Sequence, residues 1–202
     1  MTRAATVSRL FTSWLPYEEV GSFLEVGCGA GVTAVIAAMR GCSRVCALDV
    51  SPTAADTARL NAVRHGVGDK VTTLTSDLLS GLDEGTTFDL IYWNSPFVEA
   101  PVGHDYRSQI DYAAFDSDYK MHAAFFAGLE QHMSEATRVF LGFSSVGGTS
   151  EGVFAVQPGK AATALKGPGR RARASAPLLR GAPARRRGPA VGGKALRGRT
   201  RS

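Results

Sequence analysis

Apolar positions first recur at helical spacing. Val7, Leu10, Phe11, Trp14 and Leu15 fall on one face, which predicts a helix over 7–15 that Pro16 ends. Ser22–Val26 is a short run before glycines and predicts a buried strand. The Ala-rich stretch 33–40 predicts a helix, with Gly41 as its stop. Residues 44–50 predict a second strand. Ser51 and Pro52 then start a helix, Ser as cap and Pro in the first turn, which runs to about His65 and stops at Gly66. Further strands are predicted over 71–74, 88–93 and 137–143, with a helix over 119–133. Residues 95–118, rich in Pro, Gly and acids, predict irregular backbone.

Strands alternating with helices predict an α/β chain whose parallel sheet is covered on both faces. Right-handed crossovers favour a doubly wound, Rossmann-like sheet with its ligand at the carboxyl ends of the strands. The pattern collapses after Gly147. Residues 158–202 are dominated by Arg, Ala, Gly and Pro and contain no aromatic residue. Such a composition cannot bury enough apolar surface to offset the entropy of ordering. The expected division is therefore a folded domain over 1–147 and a basic tail over 148–202. That tail is expected to be disordered, or to be the product of an out-of-frame reading of GC-rich DNA.

Charge follows the same division. Residues 1–150 hold 10 Lys and Arg against 17 Asp and Glu, a net of −7, whereas residues 151–202 hold 13 against one, a net of +12. The overall +5 therefore describes the tail. Nucleic-acid binding is expected only through that tail, by neutralising phosphates. No apolar run approaches the ~20 residues that cross a bilayer, so no membrane role is expected. The three cysteines, Cys28, Cys42 and Cys46, are an odd number without a secretory signal. That points to a reducing, cytoplasmic compartment and to small buried residues rather than a metal pair, so no metal is expected.

Candidate chemistry begins where the first strand meets Glu25-Val-Gly27-Cys-Gly29-Ala-Gly31. A strand, a glycine-rich turn and a helix make a backbone cradle for a nucleotide-like ligand. Asp49 ends the second strand, where an acid can take both ribose hydroxyls. Nicotinamide and sulfonium cofactors share both features, and a plain glycine turn with a solvated Asp is the alternative.

Phe23-Leu-Glu-Val-Gly-Cys-Gly-Ala-Gly31 resembles the first motif of class I S-adenosylmethionine (SAM)-dependent methyltransferases. The resemblance implies Glu25 near the methionine end of the cofactor and Gly27, Gly29 and Gly31 in its cradle. Ala47-Leu-Asp49-Val-Ser-Pro resembles the second motif, and Ser76-Asp77-Leu78 the third, which implies Asp77 and Leu78 beside the adenine. Asn94-Ser95-Pro96-Phe97 resembles the Asn-Pro-Pro-Tyr/Phe motif of amino-methylating members, among them release-factor glutamine, ribosomal RNA guanine and adenine-N6 DNA methyltransferases. The resemblance spans roughly residues 20–145. It implies a sheet ordered 3-2-1-4-5. The family's usual closing β-hairpin is missing from the predicted elements, which would leave the fifth strand as an exposed edge prone to self-association.

An amide or base nitrogen attacks poorly because its lone pair is delocalised. The Asn94 side-chain oxygen and the Ser95 carbonyl are suited to accept its N–H bonds and to orient it in line with the sulfonium methyl. Phe97 is suited to stack on a planar group. A bare turn is the alternative for this segment. Ser95 departs from the usual Pro, which is expected to soften the loop. Downstream, His104, His122 and His132 are expected at the surface or its boundary. Asp105, Asp111, Asp116 and Asp118 form either a solvated acidic face or a recognition site for a cation. The expected function is SAM-dependent N-methylation of a protein, nucleic-acid or small-molecule acceptor. The alternatives are an NAD-dependent oxidoreductase and a truncated, non-catalytic SAM-binding module.

Overall fold

The computed structural model describes residues 11–96, 98–100, 103–144, 151–156 and 163–166. Its centre is β1 (Ser22–Val26), a strand buried at every position. Phe23 and Glu25 face one side of the sheet, and Leu24 and Val26 the other. α1 (Val32–Met39) returns the chain to β2 (Arg44–Asp49), which pairs in parallel with β1 from Ser22↔Arg44 to Val26↔Leu48. α2 (Pro52–Arg64) leads to β3 (Val71–Thr75), parallel to β2. The chain then crosses to β4 (Leu90–Asn94), parallel to β1 on its other side.

Two alanine-rich helices cover one face. Ala34, Ala37 and Ala38 of α1 and Ala58 and Ala62 of α2 pack with Phe11, Phe23, Val45, Ala47, Tyr92 and Phe140. Small side chains let the helices sit close: a Cβ on Gly31 would stand 2.6 Å from that of Ala58. Leu24, Val26, Leu48, Ile91, Trp93 and Val139 form the opposite face, covered by Phe125 and Leu129 of a later helix. Two buried faces explain the near-continuous apolar runs of β1 and β4.

At the amino ends of the strands, Asp89 joins β4 to β1. Its carboxylate accepts the Gly21 and Ser22 amides at 3.0 and 2.8 Å. Burial alone would raise this carboxyl, but the bonds from Ser22 and Gly21 hold it below the usual range. His132, expected near the surface, is buried there with its ring bonded to the Thr86 carbonyl at 2.9 Å.

Segment 95–118 is more ordered than its composition suggests. β5 (Val98–Glu99) pairs in parallel with β6 (Phe115–Asp116), and α3 (Gln109–Ala114) lies between them. Ser108 and Asp111 start α3 with a reciprocal capping box. α4 (Lys120–Leu129) follows, then β7 (Arg138–Ser144), parallel to β4.

The parallel strands thus run in the expected 3-2-1-4-5 order, with β7 as the fifth. The predicted absence of further strands does not hold. β8 (Glu151–Val156) pairs antiparallel with β7 from Val139↔Val156 to Ser144↔Glu151, and β9 (Thr163–Lys166) pairs antiparallel with β8. The full order is β3-β2-β1-β4-β7-β8-β9, so strand pairing continues past the boundary drawn at 147. Glu151-Gly-Val-Phe-Ala-Val156 carries β-branched and aromatic residues, a signal hidden by the basic composition that surrounds it. The edge of β7 is therefore covered rather than exposed. The rest of the tail lies outside the described residues. Among the described residues, no helix is long and apolar enough to cross a membrane.

Candidate functional site

The carboxyl ends of β1, β2, β3 and β4 meet on one rim of the sheet. β1 leaves it through Gly27, Gly29 and Gly31, at φ of 64°, 52° and 72°. L side chains avoid this region, so the turn needs glycine there. The space it opens is real at Gly29, where a Cβ would meet nothing within 4 Å. The Cys28 amide donates to the Leu48 carbonyl at 2.8 Å, fixing the turn to the end of β2.

Asp49 stands at that end. One carboxylate oxygen accepts the Gly29 amide at 2.8 Å and the other accepts the Ser51 amide at 2.9 Å. A carboxylate has about four lone-pair sites, so two remain for ligand hydroxyls. β3 is tied to the same corner, because the Ser76 amide donates to the Asp49 carbonyl at 2.8 Å. The Ser76 hydroxyl then donates to the Leu78 carbonyl at 2.9 Å and accepts the Gly81 amide at 2.8 Å. These bonds hold Leu78 at φ 50°, a strained value for a branched side chain, and leave Asp77 exposed on the rim.

Glu25 lies beneath the glycine turn and is buried. Its carboxyl accepts the Ala34 amide, in the first turn of α1, at 2.8 Å. Burial pushes its pKa up to about 8, Asp49's charge adds to the rise, and the bonds from Thr33 and Ala34 oppose it. Thr33 in turn shares a 3.0 Å hydroxyl bond with buried Thr12. Thr33 was absent from the sequence prediction. Only its position two residues after Gly31 could have suggested a role.

The set Glu25, Gly27, Gly29, Gly31, Asp49, Asp77 and Leu78 therefore converges on one rim, with an open cradle between them. Its chemistry suits SAM: Asp49 keeps lone pairs for hydroxyls, Gly29 leaves backbone room, and Asp77 is an exposed acid beside Leu78.

Asn94 ends β4. The β1–β4 register places Trp93 opposite Val26, so Asn94 and Gly27 follow on neighbouring strands. Asn94 Oδ1 is buried and has no hydrogen-bond partner among the described residues. Gly142 of β7 makes its room, since a Cβ there would stand 2.7 Å from that oxygen. Ser95 is buried, and its hydroxyl donates to the Gly142 carbonyl at 3.2 Å. The departure from Pro thus brings a tether in place of the lost φ constraint. Pro96 is buried, and Phe97 lies outside the described residues.

The downstream acids separate into different tasks. Asp105 pairs with Arg107 at 2.9 Å, Asp118 with Lys120 at 3.2 Å, and Asp111 caps α3. Asp116 is buried and binds His122. His104 is half-buried between the rings of Tyr106 and Phe115, at 5.1 and 4.5 Å. The three cysteines are free and buried, as expected.

A family model described as the methyltransferase small domain matches residues 2–110. The release factor glutamine methyltransferase of Rhodopirellula baltica is 42% identical over 76 residues, 37% of this chain and 26% of that protein. That of Chlorobaculum tepidum is 38% identical over 96 residues, 46% of this chain and 33% of that protein. The ribosomal protein L11 methyltransferase of Anoxybacillus flavithermus is 43% identical over 61 residues, 30% and 20% of the two chains. The matches thus span between a fifth and a third of these curated relatives. Among solved structures, the ribosomal protein L11 methylase of Lactobacillus delbrueckii subsp. bulgaricus aligns with a TM-score of 0.50 at 20% identity, over 68% of this chain and 58% of that one. The S-adenosylmethionine-dependent methyltransferase SibL aligns with a TM-score of 0.51 at 18% identity, over 70% and 37%. At these identities the likeness is one of fold.

Proposed function

The chain belongs to the methyltransferase small domain family, and from that premise we propose that it transfers a methyl group from SAM to a nitrogen of a protein. The observation that carries the nitrogen assignment is Asn94 Oδ1. A buried amide oxygen without a partner costs about 1–3 kcal/mol, so it persists where a ligand N–H completes it. The protein acceptor is supported by the relatives, whose names give release factor glutamine and ribosomal protein L11 as what they methylate. A cytoplasmic place accords with three free thiols.

Glu25, Asp49, Asp77, Leu78 and the glycine turn would hold the cofactor, which supplies a sulfonium methyl with a neutral thioether as leaving group. The chain's own part is orientation. Asn94 Oδ1 and the Ser95 carbonyl accept the two N–H bonds of the acceptor, turning its lone pair toward the methyl carbon. Held this way, the acceptor nitrogen would take the methyl group that the cofactor supplies and give up a proton to solvent. Holding the reactants in line supplies much of the rate, and a strong base is not required. Phe97 belongs to this proposal as an aromatic wall. The proposed catalytic unit includes β8 and β9.

Calorimetry on the full chain tests the cofactor. SAM is expected to bind at micromolar Kd, with Asp49→Ala weakening it at least tenfold, and NAD is expected not to bind. Transfer of radiolabelled methyl to purified release factor and L11 tests the acceptor. Asn94→Ala should slow it about 10²–10³-fold while SAM affinity stays unchanged. NAD binding without SAM binding would overturn the assignment. SAM binding without transfer to either protein would remove the proposed acceptors.

A further inference from the structure

Asp116 and His122 lie outside every motif that the cofactor and acceptor roles absorb. Asp116 is 1% exposed, yet both of its carboxylate oxygens are bonded. One accepts the Met121 amide at 2.9 Å, and the other accepts the His122 amide at 3.0 Å and meets His122 Nδ1 at 2.5 Å. A buried carboxylate with three bonds at the start of α4 is a designed anchor rather than a solvated charge.

What it anchors surrounds the acceptor loop. The His122 ring packs against Trp93 at a 40° tilt, with centroids 4.8 Å apart, and Trp93 is the residue before Asn94. The Trp93 indole also lies against the glycine turn, since a Cβ on Gly27 would stand 3.6 Å from its Nε1. On the far side of the loop, β5 is paired with β6, and the pair Glu99↔Asp116 places Asp116 itself in that ladder. The same residue therefore holds the chain that leaves the loop by its backbone, and the chain that enters it through His122 and Trp93. The next residues confirm that the corner is under tension. Asp118 and Tyr119 both sit at φ 53°, a conformation that costs about 1 kcal/mol or more each and survives only where surroundings impose it. The Tyr106 hydroxyl adds a further restraint by accepting the Ser117 amide at 3.1 Å.

We infer that the Asp116–His122 pair is a positioning clamp for the Asn94–Ser95–Pro96 loop, holding it from both ends through the β5–β6 ladder and the tilted His122–Trp93 ring contact. The role in acceptor positioning rests on the nitrogen-acceptor assignment above. The clamp itself is a property of the chain without cofactor, so its test is made there.

Hydrogen exchange on the full chain reads the loop directly. His122→Ala and Asp116→Ala should each speed exchange in the peptide 93–100 about tenfold while peptides of β1, β2 and β3 keep their rates. The double variant should be no faster than either single one, because both remove the same link. His122→Asn, which retains a donor for Asp116 but loses the ring against Trp93, should recover little of the protection. With Trp14→Phe as background, Trp93 is the only indole. Its emission should move to longer wavelength in Asp116→Ala, which touches Trp93 only through His122. A simple helix-cap role for Asp116 would leave that emission unchanged. Unaltered exchange at 93–100 in His122→Ala would overturn the clamp, as would a rise shared equally by β1–β3. If Asp116→Ala fails to fold, His122→Ala and its Asn counterpart decide the matter alone. Failure of SAM binding would sink the proposed function while leaving these outcomes readable.

Discussion

At the scale of single residues, the site is built from groups held in unfavourable states. Glu25 is the clearest case. Its carboxyl is buried beneath the glycine turn, and its pKa is pushed up to about 8. In the unfolded chain it titrates as an ordinary glutamate, near 4.5. The native state therefore binds the extra proton between those limits, and stability falls as pH rises. The contribution of the protonated acid is fully present below the unfolded pKa and is lost as pH rises through 8, by at most about 1.4 kcal/mol per pH unit. Urea unfolding at pH 6, 7, 8 and 9 should show this decline in the wild type. Glu25→Gln, a neutral isostere, should show a flatter profile over the same range; parallel profiles would refute the assignment. Tyr17 and Tyr92, also buried near Glu25, have phenols raised well above the ordinary range, chiefly by desolvation and secondarily by Glu25. They are neutral throughout this window and do not compete with Glu25 as the titrating group.

At the scale of elements, the helix that follows Asp49 begins at a defined cap. Ser51 precedes α2 with extended backbone, and its hydroxyl accepts the Ala54 amide at 3.3 Å. Asp49 sits two residues earlier and accepts the Ser51 amide, so the cap and the proposed ribose-binding acid belong to one turn. Ser51→Ala should cost about 1 kcal/mol in stability, measured by chemical denaturation. It should also weaken SAM binding by a small factor through the loosened turn. A variant as stable as wild type would show that the Asp49 bonds alone hold this helix start. α4 has the analogous arrangement with Asp116, which also ends a strand, and there His122 carries the link on to Trp93.

At the scale of the molecule, the parallel sheet ends in β7, and β8 covers the edge that β7 would otherwise present. An uncovered parallel edge is a template for pairing with other chains. Removing everything after residue 147 deletes β8 and β9. The shortened chain is expected to melt at lower temperature and to elute as concentration-dependent oligomers in size-exclusion chromatography. A monomeric product with an unchanged melt would show that these strands add nothing to the sheet.

The sequence by itself determined most of the elements and the residues that meet at the strand-end rim. Strand and helix periods, Ser51-Pro52, and the stops at Gly41 and Gly66 are local signals, written within a few residues. Each rim residue sits at a fixed offset from a strand end, so Glu25, Asp49, Asp77 and the glycines were legible before any coordinates. The box Ser108-x-x-Asp111 was equally local but lay within a segment dominated by turn formers, and α3 was passed over. β8 was masked in the same way by the basic stretch around it. Other features depended on contacts between distant residues. Nothing in the order of residues 93–122 states that Trp93 meets His122, that Asp116 pairs with Glu99, or that Gly142 leaves room for Asn94. The burial that raises Glu25 and isolates Asn94 Oδ1 is likewise created when two layers of helices close on the sheet. Those properties arise from desolvation and geometry, which only the packed tertiary structure supplies.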